Sequence, residues 1–114
     1  MLNSCVLSGN IGADPEVFYS SEGEPIATFN LAFKSSKKKT GWMKITCFHL
    51  ADIAEKFLRK GDRIAVQGIL SQNKWQTEEG QTRTSYELIA QTIEFIKVSG
   101  NVTDEEQVQE DTPF

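Results

Sequence analysis

Soft metal ligands and redox thiols are nearly absent from this chain, which has two cysteines and one histidine in 114 residues. The spacing of Cys5, Cys47 and His49 matches no tetrahedral metal motif, and a lone pair of thiols is not a disulfide framework. Both cysteines fall in strand-like sequence and read as small buried hydrophobes of a reducing compartment. No run of about 18 apolar residues occurs, so no membrane-spanning helix is expected. The opening MLNSCVLSGNI has neither the charged-then-apolar order of a signal peptide nor an Arg-rich transit composition, which predicts a cytoplasmic protein. The eight glycines stand singly, leaving no Gly-rich loop to cradle a phosphate. His49 is alone beside Phe48, and Asp14 and Glu16 lie in turn sequence. No nucleophile and base are paired, so neither catalysis nor a cofactor or metal is expected.

What charge there is lies unevenly. The chain carries 12 Lys and Arg against 16 Asp and Glu. Five of the acids (Asp104, Glu105, Glu106, Glu110, Asp111) fall after residue 99 with no base among them, leaving residues 1–99 with 12 bases and 11 acids. Between Glu24 and Asp52 there is no acid, yet Lys34, Lys37, Lys38, Lys39 and Lys44 all fall there. Such a local field attracts polyanions whatever the whole-chain balance. The composition change at Ser99-Gly100 divides the chain into a folded domain, 1–99, and an acidic tail, 100–114, which has no apolar periodicity and is expected to be disordered.

Short alternating segments fill the body. NSCVLSGNI reads as a strand, followed by a turn at Gly12–Pro15 and then PEVFYS. In PIATFNLAFK the residues Ala27, Phe29, Leu31 and Phe33 share one face, and Thr28, Asn30 and Lys34 the other. GWMKITCF places Met43, Ile45 and Cys47 toward a core and Trp42, Lys44, Thr46 and Phe48 toward water. One helix is expected over Leu50–Lys60, with Leu50, Ile53, Ala54, Phe57 and Leu58 on its apolar face and Gly61 as its left-handed stop. DRIAVQGIL reads as a strand bent at Gly68. KWQTEEGQ begins a hairpin around Glu78-Glu79-Gly80, and strand character continues through QTIEFIKV. Three strands, a helix and two further strands are the order of an all-β, five-stranded Greek-key OB barrel with its helix between strands three and four. Closing the sheet removes exposed edges.

Two aromatics flanking a lysine on the wet side of a strand are costly to leave idle. Single-stranded nucleic acid is held by positive charge along the phosphates and by aromatic platforms on which unpaired bases stack. Trp42, Lys44 and Phe48, the Lys34–Lys39 segment, and Lys74-Trp75 supply both parts, with no acid nearby in the sequence. The aromatics select single strands, because a base paired in a duplex does not offer its face.

In order along the chain, SGNIGADPEVFY, FNLAFKS, GWMKITCF, KFLRKGDRIAVQGIL, KWQTEEGQ and the final Asp-Thr-Pro-Phe resemble the bacterial-type single-stranded DNA-binding proteins. The resemblance implies a homotetramer that wraps single-stranded DNA without sequence preference, with Trp42, Phe48 and Trp75 as base-stacking residues. It also implies a tip, Glu110, Asp111, Thr112, Pro113 and Phe114, read by partner proteins of replication, recombination and repair. Many relatives carry a further tryptophan where this chain has Lys37-Lys38-Lys39, and many carry a histidine where Met43 stands. A flexible tail of fifteen residues spans roughly 20–23 Å, enough to reach the chain's own lysines. The same groove would suit a primosomal or RNA-binding OB-fold protein, and aromatics turned to a protein would make an oligomeric docking scaffold.

Overall fold

The structure, a computed structural model, describes residues 1–97; the expected acidic tail of 100–114 lies outside them. The strands are β1 (Cys5–Ile11), β2 (Glu16–Tyr19), β3 (Pro25–Ser36), β4 (Lys39–Cys47), β5 (Arg63–Gln76) and β6 (Thr82–Lys97), with one helix, α1 (Ala51–Phe57), between β4 and β5. They form one sheet in the order β1-β5-β6-β4-β3-β2. A further pairing of β1 with β3, Asn10 to Ala32 and Ile11 to Leu31, closes it into a barrel. All pairings are antiparallel except β4 with β6.

β1 and β2 lie along the same edge of β3. Ile11 pairs with Leu31 and Glu16 with Thr28, so four residues, 12–15, stand opposite two, Phe29 and Asn30. The pair is one bent strand broken by a short excursion. Counted so, five strands make the barrel and the helix follows the third, which is the expected OB architecture.

Alternation delivers the core. Ile11, Leu31, Ile45, Ile64, Val66 and Leu88 are fully buried, with Ala27, Phe29 and Cys47 beside them. Met43 is only partly buried against this cluster, and Phe33 is half-buried with its ring over Gly41. At Gly68 the β5–β6 register shifts, and a Cβ there would sit 1.9 Å from the Ile89 carbonyl oxygen. The bend read from the sequence is thus a close backbone approach that only glycine permits.

The helix departs from expectation. It stops at Phe57, and Leu58 is extended, with φ −91 and ψ 132. The buried side chains are Ala51, Ala54 and Leu58, whereas Ile53 and Phe57 face water. Small alanines let the helix lie close to the sheet, and unwinding sends Leu58 into the core from outside the helical repeat, so tertiary packing overrides the periodicity. Gly61, φ +90, sits instead in a turn closed by the Asp62 amide donating to the Arg59 carbonyl at 3.0 Å. This turn is pinned to the break after β1: the Lys60 amide donates to Asp14 Oδ1 at 2.7 Å and the Gly61 amide to the Ile11 carbonyl at 2.8 Å.

Burial also separates the two thiols. Cys47 is fully enclosed and desolvation pushes its pKa up to about 11, while Cys5 is half-buried. An aromatic disulfide reagent at pH 8 is expected to titrate Cys5 in the native protein and Cys47 only after unfolding; fast reaction of both would contradict the packing. The Cys47 contribution favours the folded state below the usual thiol range. It is lost as pH rises from about 9 toward 11, where the unfolded thiol ionises and the folded one does not.

Candidate nucleic-acid interface

β3 and β4 pair so that Ala32 stands opposite Trp42, Asn30 opposite Lys44 and Thr28 opposite Thr46. The inner partners at these levels, Leu31, Phe29 and Ile45, are buried, so this row is the outer face of the barrel. Trp42 is 61% exposed. Its ring extends past Ala32 to Gly12, where a Cβ would lie 2.6 Å from the ring carbon Cζ3. The Gly12 amide is meanwhile bonded to the Asn30 carbonyl at 2.9 Å. The lack of a side chain at Gly12 therefore lets the far edge of the indole approach the barrel wall, while most of the ring stays open to solvent.

Phe48 lies one residue past the end of β4 and is 45% exposed. From Trp42 to Phe48 is about 20 Å of strand at roughly 3.3 Å per residue, with Lys44 between them. Lys44, Asn30, Thr28, Asp14 and Glu16 line an open groove of about 300 Å³.

The acid-free neighbourhood expected from the sequence does not survive folding. Asp14 and Glu16 come to the groove across β3, and the parallel β4–β6 register sets Glu87 beside Lys44. Glu87 is engaged, however. Thr46 Oγ1 donates to its Oε2 at 2.5 Å, and Asn73 Nδ2 to its Oε1 at 3.3 Å. Both carboxylate oxygens are directed along the sheet.

The lysine segment is a hairpin tip rather than a loop. Lys34 ends the regular part of β3, Lys37 and Lys38 form a two-residue turn, and Lys39 opens β4. Ser36 pairs with Lys39, and a register irregularity between Lys34 and Ser36 accommodates the tight return. All four lysines are exposed, and Lys34, opposite Thr40, lies on the Trp42 side of the sheet.

Trp75 is half-exposed in the β5–β6 hairpin, opposite Arg83. Counting back by twos, Asn73 faces Ser85 and Ser71 faces Glu87, so Trp75 shares the outer face with Lys44. Lys74 pairs with Thr84 and points to the other side of the ribbon, so the structure does not bring it to Trp75. The cation beside Trp75 is Arg83, which the sequence reading passed over. Counting outward from the hairpin turn would have found it. Among the described residues no cluster of three His, Cys, Asp or Glu side chains is placed to hold a metal, and no helix is long and apolar enough to cross a membrane.

Residues 2–96 match the model of the Single-strand binding protein family. The chain belongs to that family. The resemblance read from its motifs is borne out over nearly the whole described fold. Among solved structures, the Plasmodium falciparum SSB complex with ssDNA is similar at a TM-score of 0.75 and 30% sequence identity. The match covers 85% of this chain and 97% of that one. In an OB barrel the inner face is filled by side chains, and strand alternation leaves these aromatics on the outer wall.

Proposed function

We propose that this chain binds and protects single-stranded DNA without sequence preference and catalyses nothing. The observation that carries the reading is Trp42, its ring edge against Gly12 and most of its surface open, on one face with Lys44, Trp75 and the lysine tip. In this reading Trp42, Phe48 and Trp75 stack bases, while Lys34, Lys37, Lys38, Lys39 and Lys44 follow the phosphates, joined by Arg83. Lys74 meets the strand only where it wraps over the hairpin edge. Ions are released from the phosphates as lysines replace them, which makes binding salt-dependent.

Assembly into a homotetramer belongs to the same proposal. Its support is the free side of β1, which pairs with β3 only at Asn10 and Ile11 and leaves Cys5–Ser8 as an open strand edge. We assign the domain boundary near residue 99. The tip Glu110, Asp111, Thr112, Pro113 and Phe114, outside the described residues, would recruit partner proteins of replication, recombination and repair through acids, a carboxylate and one aromatic anchor. The site of action is then the cytoplasm, at the nucleoid.

The test is a titration of intrinsic fluorescence with a homopolymeric single strand at two salt concentrations, with duplex DNA and an RNA of the same sequence as controls. Strong quenching by the DNA single strand and far weaker response to duplex is the expected result. Absence of quenching, or equal binding of duplex, would remove the stacking argument. Stronger binding of the RNA would reassign the ligand.

A further inference from the structure

We infer that Phe18 is a further stacking platform, extending the single-strand path beyond Phe48 onto β2; the inference rests on the function proposed above. Phe18 belongs to the shortest strand of the barrel. Its neighbour Val17 pairs with the buried Ala27 and packs against the core. Alternation therefore turns Phe18 to the outer face, where it pairs with Ile26 and remains 50% exposed.

On the far side of Ile26 stands Phe48. The last β3–β4 pair is Ala27 with Cys47, and one further step of that register brings Phe48 to Ile26. Both line a depression of about 300 Å³ rimmed by Pro25, Glu22 and Glu24. Phe18, Ile26 and Phe48 thus make an apolar row from β2 across β3 to the residue that follows β4, at the opposite end of the outer face from Trp42. An aromatic left on the wet side of a four-residue strand adds nothing to the core that Val17 does not already supply.

The chemistry of this end differs from that of the lysine tip. Its charged neighbours are Glu16, two residues away on the same face, and Glu22 and Glu24. Phosphates are repelled there, while a neutral base is not. A strand laid along the barrel would contact lysines with its backbone at one end and insert base faces against Phe48 and Phe18 at the other. This subsite should then contribute affinity with almost no salt dependence.

The test places the only tryptophan of the chain at this position, as Phe18→Trp in a Trp42→Phe, Trp75→Phe background that keeps a ring at each of those two proposed platforms. Binding of a labelled thymidine oligomer is followed separately by anisotropy. The expected result is an indole open to acrylamide before DNA and quenched when the oligomer saturates the protein. In the native background, Phe18→Ala should weaken binding about tenfold with an unchanged salt slope, and Phe18→Tyr should restore it. An oligomer that binds while the introduced indole stays unquenched overturns the proposal. So does an indole shielded from acrylamide before DNA is added, which would show a second copy of the chain covering β2. Failure of the unaltered protein to bind the oligomer at all would instead overturn the proposed function, and this inference with it.

Discussion

Replacing Trp42 by alanine is expected to weaken binding of a single-stranded oligomer by about 1–3 kcal/mol, the usual worth of one stacked base. That is roughly a 5- to 150-fold rise in Kd. Fold stability should hardly change. The indole is 61% exposed and covers a glycine and an alanine on the barrel wall, so its loss opens no cavity in the core. Trp42→Phe should recover most of the affinity, because a smaller ring still offers a face. Anisotropy of a labelled oligomer, with a thermal melt of each variant, separates the two effects. An unchanged Kd would mean that the open face of the ring meets something other than a base.

A triple replacement, Lys37→Gln with Lys38→Gln and Lys39→Gln, should act on affinity through salt. Each phosphate neutralised on a single strand contributes about −0.7 to the slope of log K against log salt. Removing three contacts therefore makes the slope shallower by about 2. If the curves converge near 1 M salt, affinity at 0.1 M falls about a hundredfold. Two of these residues are the turn itself and the third is its exposed neighbour, so stability should stay within about 0.5 kcal/mol. Kd measured at four or five salt concentrations gives the slope directly. A uniform loss at every salt would show that the tip shapes the site rather than meeting phosphates.

The strands were legible because a barrel wall imposes a period of two, and Ala27, Phe29, Leu31, Ile45 and Cys47 obey it. The glycine at 68 and the turn at Gly80 were legible because few other residues tolerate those geometries. The helix was misread at its ends and on its face. Its seven residues are too few for periodicity to outvote packing, and Leu58 reaches the core from extended backbone. The electrostatics were misread for another reason. Acids distant in sequence, Asp14 and Glu16 on one side and Glu87 on the other, arrive beside Lys44 only through non-local pairings. The parallel β4–β6 register, in particular, leaves no mark on either strand alone. The opposite directions of Lys74 and Trp75 needed no structure, since adjacent residues of a strand always diverge.

Gly12 does more than leave room for an indole. Because the edge of the Trp42 ring packs against that backbone, some of its rotameric freedom is already spent, and stacking of a base there, as proposed, would forfeit less side-chain entropy. The floor under the ring is itself held two residues later, where Asp14 fixes the Lys60 amide and so the turn that follows the helix. A surface built this way behaves as a rigid template rather than an adaptable one. In the function proposed above, such a template would meet each successive base in the same geometry whatever its identity, which is what indifference to sequence requires.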